Sequence, residues 1–218
     1  MSYLNQLGSS AAELTQGIRL LGLTASDAQL EQLAQYALLL QKWGSVYNLT
    51  ANKEISQIVT LHLLDSLAII SPLLRQKTRP QSALDVGSGA GLPGVILAVM
   101  LPELDVHCVD AVAKKAAFIQ QVSISLVLKN LTAHHARIED LGHHYDLITS
   151  RAFSSLFDFV NLTKKNLNPE GHWLAMKGVV SRDELEPVLL ELDVFHVEQL
   201  QVPGLDANRN IVWIKRRV

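Results

Sequence analysis

The segment Leu84-Asp85-Val86-Gly87-Ser88-Gly89-Ala90-Gly91-Leu92-Pro93-Gly94 carries the densest chemical signal in the chain. It links two apolar runs in the way a turn links a strand to a helix. Glycines let a backbone turn sharply and approach a ligand closely, and a helix start presents N–H groups without partners. Pro93 suits the first helical turn, where its missing N–H would have had no partner. The plain alternative is a tight βα turn without a ligand, but three alternating glycines exceed what a turn needs. Two ligands compete for the loop. Gly89 to Gly94 matches G-x-G-x-x-G, and Asp110 follows at the separation expected of an adenosine-ribose acid, so spacing alone admits NAD. Register favours the other ligand. The strand is expected to end at Val86, so the turn starts at Gly87 and reads G-x-G-x-G. Asp85, at the strand's end, would then meet an ammonium group such as the amino-acid end of S-adenosylmethionine, and would repel a pyrophosphate. An NAD(P)-dependent oxidoreductase using the same loop is the alternative reading.

Asp110 ends the next apolar run, where its two oxygens suit both hydroxyls of a ribose; the bland reading is a helix cap before Ala111-Val112. Further on, Arg137-Ile138-Glu139-Asp140 places an acidic pair where an adenine amino group would be held, although such pairs are usually solvated. Thr149-Ser150-Arg151-Ala152-Phe153 lacks the Asn/Asp-Pro-Pro-aromatic pattern of enzymes that methylate exocyclic amines. Cys108, inside a strand-like run, reads as core rather than nucleophile. With no base or nucleophile encoded there, the pattern suits an acceptor nitrogen with a free lone pair, such as guanine N7, where positioning does most of the work. The pairs His134-His135 and His143-His144 point to opposite faces of a strand, so no metal site is expected. His62 and Asp65 share one helix face and are expected to hydrogen-bond each other in a structural role.

Around these residues, 1–80 read as helical. A capping box of Ser26 and Gln29 opens a helix through Leu30, Leu33, Ala34, Ala37, Leu38 and Gln41, predicted to stop at Trp43-Gly44. A second helix is predicted from Ser56 to Ser71-Pro72. From residue 83 short apolar runs alternate with helices. The strands fall at 83–86, 106–109, 131–135, 145–149 and 172–176, the last after a turn at Asn168-Pro169-Glu170-Gly171. Helices fall at 94–101, 112–128, 156–167 and 182–190. Runs at 194–202 and 211–214 are joined by Pro203-Gly204-Leu205-Asp206, too short for a parallel crossover, so they form an antiparallel pair. The fold class is therefore α/β and Rossmann-like: a seven-stranded, mostly parallel sheet with a terminal antiparallel hairpin, as in class I S-adenosylmethionine-dependent methyltransferases. The domains are an amino-terminal helical extension (1–80) packed on a methyltransferase domain (81–218).

With 218 residues, 48% of them hydrophobic, the chain buries a full-size core, and extensive disorder is excluded. A net charge of −2 excludes a protein that coats nucleic acid through bulk charge. RNA contact then depends on local placement, with Lys53, Arg75, Lys77, Arg79, Lys164, Lys165, Lys177, Arg209 and Lys215-Arg216-Arg217 as candidates. One cysteine and no targeting segment fit a soluble cytoplasmic protein, and the uncharged run 86–102 is short for a membrane span.

Several stretches together resemble the bacterial small-subunit ribosomal RNA methyltransferase G family, also called glucose-inhibited division protein B. These are Asn48-Leu49-Thr50-Ala51, His62-Leu63-Leu64-Asp65-Ser66-Leu67, the glycine loop, Asp110, Lys114-Lys115-Ala116-Ala117-Phe118, Ser150-Arg151-Ala152-Phe153 and Met176-Lys177-Gly178. The resemblance implies methyl transfer from S-adenosylmethionine to N7 of one guanosine in 16S ribosomal RNA, as RNA or in the small-subunit particle; nothing in the sequence demands more than a monomer. The resemblance also implies that Gly87 and Leu92, with Gly89 and Gly91, line the donor pocket, that Ile138 and Glu139 hold the adenine, and that Asp110 binds the ribose. Arg151 would lie by the donor or the target base, as a candidate catalytic residue or a ligand for the donor carboxylate or an RNA phosphate. His62, Asp65 and Lys177 would lie near the site.

Overall fold

Ser26 starts the longest helix of the computed structural model, which describes residues 2–47, 50, 54–151, 153 and 155–217. Asn48, Leu49, Ala51, Lys53 and Ala152 lie outside the described residues. Gln29 N donates to Ser26 Oγ at 3.3 Å and Ser26 N to Gln29 Oε1 at 2.9 Å, the reciprocal capping box expected from the sequence. The helix α3 (Asp27–Tyr47) follows α1 (Tyr3–Gln6) and α2 (Ser10–Leu20), and it runs past its predicted end at Trp43-Gly44. A lone glycine costs a helix only about 1 kcal/mol. At Gly44 it also clears space, since a Cβ there would lie 2.7 Å from Thr50 Cγ2.

The second predicted helix is a broken run: α4 (Ile55–Ile58), a π-helical turn (Val59–Leu64), α5 (Asp65–Leu67) and α6 (Ile70–Leu74). It continues beyond Ser71-Pro72 because Pro72 falls in the first turn of α6, where no intrahelical N–H bond is required of it. By length and composition the run from Ile55 to Leu74 is apolar enough to cross a membrane, with mean hydropathy 1.6. Its apolar side chains are spent on the protein core instead, Ile58, Leu63, Leu67 and Ile69 being fully buried.

Seven strands follow in one sheet: β1 (Ser82–Val86), β2 (Asp105–Asp110), β3 (Leu131–His135), β4 (Tyr145–Ser150), β5 (Leu167–Lys177), β6 (Leu192–Leu200) and β7 (Arg209–Arg216). Their spatial order is β3-β2-β1-β4-β5-β7-β6, with β7 antiparallel to both neighbours and the first five strands parallel. The helices between them are α7 (Gly94–Met100), α8 (Ala113–Ser125), α9 (Leu156–Thr163) and α10 (Arg182–Glu191). Asn168-Pro169-Glu170-Gly171, predicted as a turn before β5, lies within that strand. The pairing with β4 shifts register between Tyr145 and Leu147, and this irregularity lets a Pro-Gly stretch stay in the sheet.

Alternation along the strands splits the core in two. Leu84, Val86, Ile148, Trp173 and Ile214 face Phe159, Val160 and Val188 of α9 and α10. Ala83, Val106, Cys108, Leu147 and Leu174 face α7, α8 and the amino-terminal helices in one continuous cluster. Three glutamines on one face of α3 strengthen that junction. Gln29, Gln32 and Gln35 donate to the carbonyls of Val99, Leu126 and Ser125 at 3.0, 2.8 and 3.2 Å. Those carbonyls belong to the ends of α7 and α8, which have no intrahelical partner.

Candidate active site at the carboxyl ends of the strands

The glycine loop leaves β1 at Val86 and delivers the chain to α7. Gly87 has φ +66° and is exposed, and a Cβ built on it would meet nothing within 4 Å. That combination is a cradle: backbone only glycine adopts cheaply, beside open space. Gly89 repeats it at φ +59°. Gly91 turns inward, where a Cβ would lie 2.6 Å from Val95 Cγ2, and Leu92 is buried in the core. Pro93 stands at the N-cap of α7, one residue before the first turn in which the sequence placed it.

Asp85, expected to face a ligand's ammonium group, is fully buried, and its Oδ2 accepts from Gly94 N at 2.9 Å. Burial pushes its pKa up to about 7, and Oδ1 has no partner among the described residues. A side chain at Gly94 is impossible without movement, because its Cβ would lie 2.2 Å from Cys108 Sγ. The start of α7 thus already carries a carboxylate where a dinucleotide fold seats its pyrophosphate.

Asp110 makes the helix-cap bond that the bland reading suggested, and a second bond to the glycine loop that the sequence did not mark. Its Oδ2 accepts from Gly89 N and its Oδ1 from Val112 N, both at 2.9 Å, so it caps the approach to α8 and tethers the glycine loop. Carboxylate oxygens keep a second lone pair each, which leaves capacity for a ribose. Lys115 Nζ stands 3.9 Å away. Ile138 is buried and Glu139 exposed in a 3₁₀ turn after β3. Behind the loop, Tyr36 of α3 donates to the Ala90 carbonyl at 2.7 Å. No motif marks Tyr36; in the sequence it is one apolar-face residue among many.

Beside the loop lies a cleft of about 380 Å³ lined by Leu61, His62, Asp65, Arg151, Met176, Lys177, Gly178 and Arg209. It forms where Arg151 follows β4, Lys177 ends β5 and Arg209 begins β7. Ser150 Oγ donates to Val86 O at 2.8 Å and ties the β4 end to the glycine loop. Arg151 stands between His62 and Asp65, which were expected to pair with each other. Its Nη1 donates to Asp65 Oδ2 at 3.2 Å and its Nη2 to His62 Nδ1 at 3.4 Å. Burial, together with the Arg151 charge, pushes the His62 pKa down to about 4. The ring is therefore neutral, with its proton assigned by this network to Nε2, which donates to Thr50 Oγ1 at 2.6 Å. Met176 and Gly178 join the cleft through the run Met176-Lys177-Gly178, a signal the sequence held only as part of a longer pattern.

The other basic candidates separate from the cleft. Arg75, Lys77 and Arg79 precede β1 and Lys215-Arg216-Arg217 end the antiparallel β7, so both groups sit at the opposite end of the sheet. Lys164 and Lys165 lie in the turn before β5, where Lys165 donates to the Glu139 carbonyl. His134 bonds His107 across adjacent strands at 2.9 Å, and among the described residues no His/Cys/Asp/Glu group is arranged to hold a metal ion.

The profile of the GidB family, described as rRNA small subunit methyltransferase G, matches residues 29–212. A protein of Methylibium petroleiphilum named ribosomal RNA small subunit methyltransferase G is 53% identical over 95% of this chain and 95% of its own length. One of the same name from Paracidovorax citrulli is 51% identical over 95% of this chain and 90% of its own. Among solved structures, the N-methyltransferase NodS of Bradyrhizobium japonicum in complex with S-adenosyl-L-homocysteine aligns at TM-score 0.56 and 13% identity, over 82% of this chain and 100% of that one. The glycopeptide N-methyltransferase MtfA complexed with S-adenosylmethionine aligns at TM-score 0.57 and 10% identity, over 70% and 94%. At such identities the likeness is one of fold, the class I methyltransferase fold. The oxidoreductase alternative finds no support in the family or among these neighbours. With its glycine loop, tethering aspartate and basic cleft gathered at one end of that sheet, the chain belongs to the rRNA small subunit methyltransferase G family.

Proposed function

We propose that this protein transfers a methyl group from S-adenosylmethionine to N7 of a specific guanosine in 16S ribosomal RNA. The observation that carries the reading is the adjacency of the exposed Gly87 cradle and the basic cleft, joined by the Ser150 bond to Val86. A small donor and a polyanionic acceptor would meet there. The residues fit the donor: Gly87 and Gly89 leave room for its backbone-close part, Asp110 offers oxygens to the ribose, and Ile138 and Glu139 flank the adenine. When bound, the donor supplies an electrophilic methyl on sulfonium sulfur, and the N7 lone pair takes it as the carbon–sulfur bond breaks, leaving a neutral thioether.

The chain's own task is orientation. N7 carries no proton, so no base is needed, and His62, with its pKa near 4, is too weak a base to act as one. The glycine loop is held from three sides, by Tyr36, Asp110 and Asp85, which fixes the donor's seat before it arrives. The amino-terminal segment (1–80) works as part of the catalytic unit, supplying Tyr36, His62 and Asp65. The enzyme acts as a monomer in the cytoplasm, without a metal, on 16S RNA or the small-subunit particle.

The direct test offers the protein isotopically labelled S-adenosylmethionine with small-subunit particles or 16S RNA lacking the modification, and then maps the label. Label at guanine N7 is the expected result. Label on an exocyclic amine, a ribose or a ribosomal protein would overturn it, and nicotinamide-cofactor binding without donor binding would revive the oxidoreductase.

A further inference from the structure

Asp65 is 3% exposed, and each of its oxygens takes a different guanidinium. Arg151 Nη1 donates to Oδ2 at 3.2 Å and Arg209 Nε to Oδ1 at 2.7 Å. The three residues come from α5, the end of β4 and the start of β7. A carboxylate buried this deeply is tolerated only when fully paired, and both of its partners line the cleft. The arginines are fixed further from behind. Arg151 also donates to the Leu61 carbonyl at 3.3 Å and to His62 Nδ1, and Arg209 Nη1 donates to the Asn208 carbonyl at 3.0 Å. After these bonds, Arg151 Nε and Arg209 Nη2 have no partner among the described residues. Donors thus remain for a ligand on two arginines that are already held in place.

Charge narrows the ligand. Arg151, Arg209 and Lys177 stand against Asp65 and against Glu184, which pairs with Lys177 at 2.6 Å. With His62 neutral, the cleft keeps one net positive charge, the complement of a singly charged oxyanion. Two anions of that kind are at hand, a phosphodiester of the RNA strand and the carboxylate of the methyl donor. Position favours the first. Arg209 begins β7, which β4 and β5 separate from β1 and its glycine loop, whereas Arg151 ends β4 beside them.

We propose that Asp65 is a positioning residue that assembles Arg151 and Arg209 into a clamp for one phosphodiester of the RNA beside the target nucleotide. The inference rests on the RNA methyltransferase reading. Planar guanidinium forks match the geometry of phosphate oxygens, and donors held in advance lose less freedom on binding.

The test measures steady-state methylation of 16S RNA and calorimetric donor binding for wild type, Asp65→Asn and Arg209→Gln, with thermal melts to establish folding. Asp65→Asn makes the cleft more positive by one charge. A cleft that attracts RNA by charge alone would bind it more tightly, whereas a positioned clamp loses its geometry. The clamp therefore predicts that KM for RNA rises about tenfold, the scale of a disrupted charge-assisted bond, while donor Kd stays within about twofold. Arg209→Gln, at a partly exposed side chain, gives the same split and lowers the salt slope of RNA binding by about 0.7, one phosphate contact. If Asp65→Asn does not fold, Arg209→Gln decides. Unchanged or lower KM for RNA overturns the clamp, and so does a donor Kd weakened as much as KM, which would assign the arginines to the donor carboxylate. Wild-type protein that transfers no label to RNA fails the enzymatic reading itself, a result distinct from both.

Discussion

The Tyr36 hydroxyl, on the amino-terminal helix α3, is 2.7 Å from the carbonyl of Ala90 in the glycine loop. Tyr36 is fully buried, and this bond joins the helical segment to the glycine loop proposed to seat the donor. Tyr36→Phe keeps the ring and removes only the donor, leaving the Ala90 carbonyl without its partner. Stability should fall by about 1–3 kcal/mol in urea titrations, and donor Kd should rise in calorimetry. A destabilised variant with unchanged Kd would make the bond a packing feature with no bearing on the donor.

Two glycines of the loop should fail in different ways. Gly87→Ala strains a residue at φ +66° by about 1–2 kcal/mol and puts a methyl group into open space, so the protein folds but loses donor affinity. Gly94→Ala drives a Cβ into Cys108 Sγ and Asp85, an overpacking cost of about 1–3 kcal/mol or more, seen first as a lowered Tm. Equal melting temperatures for the two variants would contradict this division.

Asp110→Ala removes acceptors from both Gly89 N and Val112 N. Donor affinity should weaken by about 1–3 kcal/mol, the scale for bonds to a charged group. Unchanged affinity by calorimetry would remove Asp110 from the pocket.

The buried Asp85 sets a pH dependence. In the folded protein its carboxyl stays protonated up to about 7, whereas the unfolded chain releases the proton near 3.8. Between these values the folded state binds more protons, so the group's contribution to stability is complete below pH 3.8 and is lost as pH rises through about 7. Asp85→Asn cannot ionise, and its amide oxygen still accepts from Gly94 N. Its stability relative to wild type should therefore rise between about pH 4 and about pH 7 in urea titrations and level off above, other groups such as His62 cancelling in the comparison. A constant difference would mean that the carboxyl titrates at its ordinary value.

Val127 is a stabilisation site. It holds φ +55° at the end of α8, where Leu128 N bonds Ser123 O at 2.9 Å and Val127 N bonds Ile124 O at 3.2 Å. This is the Schellman arrangement, which favours glycine. A β-branched residue is strained there, and Val127, at 72% exposure, contributes little burial in return. Val127→Gly should gain about 1 kcal/mol, or about 2–4 °C in Tm for a chain of this size. A lower Tm would show that the side chain packs more than its exposure indicates.

Features that depend on near neighbours in the chain were legible without the fold. The Ser26–Gln29 capping box, the five parallel strands, the glycine turn with Asp110 beyond it, and the antiparallel last pair follow from periodicity, turn chemistry and loop length. Local pattern misled where a packing neighbour intervened. α3 passes Gly44, where a Cβ would crowd Thr50, and 168–171 stay in β5 where the pairing with β4 shifts register. The tertiary structure decided how the site is assembled. Asp85 is buried, and only the fold shows its bond from the Gly94 N–H at the start of α7. Nothing local joins Asp65 to Arg209, 144 residues apart. They meet because β7 inserts antiparallel between β5 and β6, so its first residue reaches the carboxyl ends of the parallel strands while Lys215-Arg216-Arg217 are carried to the other end. Residue types and spacing decided the loop, the fold class and the family resemblance, since these rest on local backbone chemistry. Which charges face one another was left to strand order and direction, because Coulomb and hydrogen-bond energies act across space and carry no trace along the chain.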